Sequence, residues 1–201
     1  MTALASTTDY ETLTGQHLDD AEVARIEDLL EMASETVLAG AHGQNITSQT
    51  YTDATLYVHE GRFLFPQRPV TAVSSVVVDG TTYTTDDYRW TPGGEGRPAE
   101  LIYRVNGYDR PWPYHEATVT YTAGWATVPA PLRAAVVAMA SGAYRGSTNT
   151  VITTTAGGAP IPEYPAINIA LTALKLTPAV QAVIDTWCKV RLPASVEVSR
   201  G

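Results

Sequence analysis

The sequence predicts an α+β protein, a small helical bundle of three main helices that carries a β-rich insertion and an extended arm. Apolar residues recur at helical steps in three separate stretches. Between the first two of them, Thr, Val and Tyr dominate and turn residues come at short intervals. A further stretch rich in Thr, Gly and Pro follows neither period. With 201 residues, 44% of them hydrophobic, the chain can build one full core, or a core plus a sizeable insertion.

The first helix opens at Asp19-Asp20-Ala21-Glu22, with Asp19 as N-cap and Glu22 as its capping-box partner. Val23, Ile26, Leu30, Ala33 and Val37 form one apolar seam, with Leu29 and Leu38 at its margins, and the helix is expected to stop near Gly40. Val76-Val77-Val78, Asp79-Gly80 and Thr81-Thr82-Tyr83 read as strand, two-residue turn and returning strand, and Leu101 to Val105 followed by Asn106-Gly107 repeats the device. Thr118-Val119-Thr120-Tyr121-Thr122 alternates as a strand with one buried face does. Pro129 and Pro131 start a second helix whose apolar face is Leu132, Val136, Met139, Ala140 and Ala143, and Gly146 is a natural stop. Thr177-Pro178 starts the third, with Val180, Val183, Ile184, Trp187 and Val190 on one side and an Asp185–Lys189 pair on the other, and Pro193 ends it. The expected segments are therefore an acidic helix in 1–44, the β-rich insertion in 45–128, the second helix in 129–146, the arm in 147–176, the closing helix in 177–191 and a tail in 192–201. An arm that long does a job in most compact domains.

Charge is unevenly spread. Residues 1–42 hold nine acids against Arg25 alone, while the rest of the chain carries twelve acids and twelve bases, so the whole net charge of −8 sits on the first helix and its lead-in. Thirteen scattered bases do not make the cluster that gripping phosphate requires, so tight nucleic-acid binding is not expected. No apolar run has the length of a membrane span, and the start of the chain has neither the basic nor the apolar region of a signal peptide, so neither is expected.

The motifs of catalysis are missing: there is no G-x-S-x-G, H-E-x-x-H, CxxC or Walker lysine, the last because the only lysines are Lys175 and Lys189. His17, His42, His59 and His115 follow no ligand spacing. Asp86-Asp87 reads as a solvated turn, Pro92-Gly93-Gly94-Glu95-Gly96 as a plain loop, and the single cysteine, Cys188, as a buried inert thiol in the last helix. Asn45-Ile46-Thr47 spells a glycosylation sequon, which acquires meaning only in a secreted protein. We therefore expect a protein that is not an enzyme and uses no metal or other cofactor. Tyr108, Trp112 and Tyr114, beside Arg110, Pro111 and Pro113, have the composition of an interface hot spot. Either they form a binding surface or a proline-fixed loop folds Trp112 back over the β core. In the first case a monomeric β-module that binds a ligand such as a glycan is the alternative function.

The order of features resembles that of the head-to-tail connector (adaptor) proteins of long-tailed bacteriophages. Phe63-Leu64-Phe65-Pro66-Gln67-Arg68-Pro69-Val70 through Val76-Val77-Val78-Asp79-Gly80 is similar to the family's L-P-x-R-P-V-x-x-V-x-x-V-x-V-D-G pattern. Tyr88-Arg89-Trp90 and Trp112-Pro113 follow, and then Val119-Thr120-Tyr121-Thr122-Ala123-Gly124 with Val128-Pro129-Ala130-Pro131-Leu132-Arg133-Ala134-Ala135-Val136 resembles V-T-Y-x-x-G-x-x-x-V-P-x-x-L-R-x-A-V. Leu176-Thr177-Pro178 opens a closing helix as in the family, although Asp185-Thr186-Trp187-Cys188 stands where the family has a Tyr-Arg pair. No single motif is diagnostic; the serial order over roughly residues 19–191 carries the likeness.

The resemblance implies a structural subunit of a virion neck, made in the cytoplasm of a bacterial host. Copies of it would form a dodecameric ring that docks on the portal and receives the next head-completion, stopper or tail protein, while DNA passes through without specific binding. Portal contacts are then expected from Trp187, Arg191, Leu192, Val196 and Val198, at the end of the chain. Contacts between subunits are expected from Val151, Ile152, Ile167 and Ile169 of the arm and from Trp112 and Tyr114. Glu27, Asp28, Glu31 and Glu35, off the apolar seam of the first helix, are expected to line the channel and repel DNA.

Overall fold

A computed structural model describes residues 3–94, 97–148 and 174–188, and is of the α+β class. The chain divides into two compact units. The helical unit draws on the chain up to Gly40 and on Val128–Val183, and the β unit on Ala41–Thr127 and the chain from Ile184.

In the helical unit, α1 (Thr7–Thr14), α2 (Asp20–Ala39) and α3 (Ala130–Thr148) pack on one another. Among the described residues, helix α1 adds a fourth helix to the three expected. Its signals are local: Ser6 and Asp9 form a capping box, and Gly15, at φ 70°, donates its N–H to the Glu11 carbonyl. Helix α2 starts as its sequence dictates, the Asp19 carboxylate accepting from the Ala21 and Glu22 amides. Ile26, Leu30, Ala33 and Val37 are fully buried or nearly so, and Leu29 joins them, while Val23 at the start of the seam is only half-buried. Leu132, Val136, Met139, Ala140 and Ala143 of α3 are buried in turn. Each large aliphatic side chain removed from water here contributes about 1.5–3 kcal/mol.

Asp9 ties α1 to α3, accepting a hydrogen bond of 2.5 Å from Arg133. Burial pushes its carboxyl pKa up, but the Ser6 amide and hydroxyl and the Arg133 guanidinium outweigh that and hold it below the usual carboxylate value. A carboxylate with a depressed native pKa contributes stability above its unfolded pKa and loses it as pH falls through the native value. Asp9→Asn is therefore expected to cost about 1 kcal/mol at neutral pH, and the gap should close as pH falls through the lowered native value. Paired urea melts across that range check it, and a gap independent of pH would refute the ion pair's role.

The β unit is an eight-stranded antiparallel sheet made of β1 (Gln49–His59), β2 (Arg62–Phe65), β3 (Val70–Val78), β4 (Thr81–Tyr83), β5 (Tyr88–Thr91), β6 (Ala99–Val105), β7 (Tyr108–Arg110) and β8 (Glu116–Ala123). Its order is β4-β3-β8-β1-β2-β6-β5, with β7 beside β6. Asp79-Gly80 turns β3 into β4 and Asn106-Gly107 turns β6 into β7, with φ of 49° and 73° in the first and 51° and 83° in the second, as tight hairpins demand. Glu60-Gly61 joins β1 to β2 in the same way, at φ 49° and 78°. Strand β8 alternates buried Ala117, Val119, Tyr121 and Ala123 with less buried neighbours, and β3 and β1 flank it. A register shift in β1 between Tyr51 and Ala54 contains Asp53, at φ 49°.

The last described helix, α4 (Pro178–Cys188), has its described residues from Ile184 on in the β unit. Among the described residues no helix is long and apolar enough to cross a membrane.

Candidate functional site

Between β2 and β3 the chain runs Pro66-Gln67-Arg68-Pro69, and two glutamines fasten this loop to residues 43–45. Gln44 donates from Nε2 to the Pro66 carbonyl at 2.7 Å and accepts from the Arg68 amide at 3.1 Å. Gln67 returns the arrangement, donating to the Gly43 carbonyl at 2.8 Å and accepting from the Asn45 amide at 2.8 Å. Each side-chain amide thus replaces a rung of backbone pairing where no strand ladder exists. The Arg68–Pro69 peptide is cis.

The side chain so held is only 1% exposed, although it is an arginine. Its Nη1 donates to the Arg97 carbonyl at 3.2 Å, and Nε and Nη2 have no partner among the described residues. Burial lowers its pKa, an effect opposed by Cys188. Burial likewise pushes the Cys188 thiol up to about 11, against the pull of Arg68, so the thiol is neutral at physiological pH and unreactive. Nearby Tyr121, stacked on Tyr51 at 5.0 Å, is raised to about 12 by its own burial.

The end of α4 sits on this floor. Ile184 and Cys188 are fully buried, and Asp185 accepts or shares a 2.9 Å hydrogen bond with His42. Trp187 meets Trp125 edge-on at 6.1 Å, and both rings are half-buried. Among the described residues of this arrangement the thiol is neutral and buried, and the His42–Asp185 pair lies at its partly exposed edge. Among the described residues no group of three or more His, Cys, Asp or Glu side chains is placed to hold a metal ion.

A second feature lies in the helical unit. Glu27, Asp28 and Glu31 of α2 line a groove of about 580 Å³ with residues 3–7 and Asp9. All three acids are exposed, as is Glu35, which lies outside the groove. The wall opposite them is fixed by the Leu4 amide, which donates to the Ser34 hydroxyl at 2.9 Å.

No protein-family model matches the chain, and neither does any curated protein with which it was compared. Among solved structures, a chain in the virion of a native gene transfer agent particle is similar with a TM-score of 0.48 and 18% identity, over 94% of this chain and 90% of its own. A chain in the neck of an empty gene transfer agent particle, computed with C6 symmetry, is similar with a TM-score of 0.44 and 19% identity, over 88% and 94%.

The aromatic loop folds Trp112 back onto the β core. Trp112 is 5% exposed, its amide donates to the Gly61 carbonyl at 2.8 Å and its indole N–H to the Leu101 carbonyl at 3.1 Å. Phe63, Tyr83 and Tyr103 surround it, so of the two readings of the loop the structure shows the one with Trp112 over the β core. The reason is polar satisfaction: both of its N–H groups find carbonyls on the β unit only when the loop folds back. Tyr114 and Tyr108 remain exposed, at 38% and 72%. Of the residues expected to contact the portal, Trp187 packs beside Trp125, whereas Arg191, Leu192, Val196 and Val198 lie outside the described residues. Val151, Ile152, Ile167 and Ile169 do so as well. Sequence reasoning missed the role of Arg68, Gln44 and Gln67. The available signal was a charged residue between two prolines inside an otherwise apolar stretch.

Proposed function

We infer that the chain is a structural subunit of the neck of a phage-like particle, an adaptor that assembles with copies of itself as a ring beneath the portal and joins capsid to tail. One observation carries this reading. The segments that resemble the connector family fall on the structural joints: the clamped Pro66–Pro69 loop, the Asp79-Gly80 hairpin, the Gly124 turn and the proline-led start of α3. A family likeness confined to composition would not fall on those positions. The exposed acids of α2, repeated around a ring, suit a duct through which DNA slides without binding. Its partners are then further copies of itself, the portal protein and the next stopper or tail protein. The ligand-binding alternative loses its anchor with Trp112 in the core.

Size exclusion with light scattering, on the protein alone and mixed with its portal, tests the reading. A closed oligomer or co-migration with the portal is expected, and a monomer that ignores the portal would refute it. Deleting residues 192–201 is expected to abolish portal binding while leaving far-UV dichroism unchanged. Undiminished portal binding by that truncation would remove the tail from the contact.

A further inference from the structure

In the β unit, a cleft of about 380 Å³ opens between the Asp79-Gly80 turn and the start of β8. Two carboxylates, Asp79 and Glu116, and the rings of Tyr114 and His115 line it, and no lysine or arginine does. Both acids are exposed, and among the described residues neither has an ion pair or a side-chain hydrogen bond. This sets them apart from Asp9, Glu100 and Asp109, each of which accepts from an arginine. Aromatic rings stand beside the open charges. Tyr114 is 38% exposed, and Tyr57, the cross-strand partner of Glu116 and therefore on the same face of the sheet, is 68% exposed. Exposed rings next to uncompensated carboxylates favour a cation, since the ring face and the carboxylate both attract positive charge.

The geometry narrows which cation. Asp79, His115 and Glu116 share the cleft without converging, for among the described residues no three such groups are placed to hold a metal ion. A compact ammonium, as a point charge, meets the same difficulty. A guanidinium is planar, spreads its charge over five N–H donors and stacks on aromatic faces, so it can address two separated carboxylates and a tyrosine together. The cleft admits a long side chain, and its acid lining repels phosphate. We propose that this cleft is a binding site for an arginine side chain presented by a protein partner, with Asp79 and Glu116 accepting from the guanidinium and Tyr114 stacking on it. The proposal does not depend on the adaptor reading, which places portal contacts at the end of the chain.

The test uses the full chain and the peptide Ac-Gly-Arg-Gly-NH2 carrying a photoreactive diazirine, with labelled positions read by mass spectrometry. Labelling is expected on residues 77–80 and 114–118, and free arginine should suppress it while maltotriose should not. The peptides with citrulline or lysine in place of arginine should label these positions about ten-fold and about three-fold less. Glu116→Gln and Asp79→Asn should each weaken labelling by about three-fold, the double variant by about ten-fold, and Tyr114→Ala by about three-fold. These positions are exposed, and asparagine suits the turn at position 79 as well as aspartate does, so the variants keep the fold, which far-UV dichroism checks. Equal labelling by the citrulline or lysine peptide would overturn the proposal. So would undiminished labelling of the double variant, suppression by maltotriose, or no labelling at residues 77–80 and 114–118.

Discussion

Trp112→Ala is expected to destabilise the β unit by about 3–5 kcal/mol, the usual cost of truncating a fully packed large aromatic. The indole touches three rings, with centroids 5.1 Å away for Phe63, 5.2 Å for Tyr83 and 4.8 Å for Tyr103, so its removal leaves a void that no single neighbour can fill. It also removes the indole hydrogen bond to the Leu101 carbonyl in the middle of β6, a loss of about 0.5–1.5 kcal/mol. Tyr114→Ala, two residues along the same loop, should change stability by less than about 0.5 kcal/mol, because its ring is 38% exposed. Urea melts followed by near-UV dichroism compare the two variants. A Trp112→Ala protein that melts with wild type would return Trp112 to the surface, and with it the ligand-binding reading. Equal losses in both variants would mean that the loop acts as a unit.

The sequence made legible whatever is decided within a few residues of itself. Asp19 and Glu22 announce the start of α2, Asp79-Gly80 and Asn106-Gly107 their hairpins, and the alternation from Thr118 to Thr122 a half-buried strand, because capping, turn chirality and side-chain period are local physics. Helix α1 escaped because eight residues show too little period and it buries only Tyr10; its box and its glycine were the sole marks. The pairing of β8 between β3 and β1 escaped for another reason, since a strand's neighbours are chosen by the whole sheet and leave no trace in the strand.

The candidate site was less legible still. Arginine ordinarily belongs at the surface, so a 1% exposed Arg68 contradicts the expectation for its residue type. The amides that make its burial possible belong to Gln44 and Gln67, which as isolated glutamines look like solvated loop residues. Trp112 was ambiguous in the sequence because its two acceptors, the Gly61 and Leu101 carbonyls, come from different hairpins. Only the assembled sheet places them within reach.

Gly124→Ala should be the second severe substitution, and its cause is the approach of two backbones. Gly124 has φ 100°, and a methyl group there would stand 2.3 Å from the Thr47 carbonyl oxygen and 2.7 Å from its carbon. Backbone atoms cannot swing aside as a side chain tip does. The two segments are also bonded to each other: Ser48 donates to the Trp125 carbonyl at 3.0 Å, Trp125 to the Ile46 carbonyl at 2.9 Å, and Gly124 itself to the Pro69 carbonyl at 2.9 Å. Entry and exit of the β insertion therefore close on this residue, and relieving the clash means breaking that closure. Strain of this kind plus overpacking costs roughly 2–5 kcal/mol. Gly43→Ala is the matched control, since φ is 75° there but nothing stands within 4 Å of the added carbon. It should lose only the left-handed backbone penalty, about 1–2 kcal/mol. The difference between the two variants in thermal melts isolates the steric contribution from the conformational one. If the two losses were equal, the closure at Thr47 would be soft, and the glycine of the V-T-Y-x-x-G run would owe its place to backbone conformation alone. A markedly larger loss at Gly124 gives that glycine a mechanical reason: it lets the insertion leave and rejoin the chain at one point.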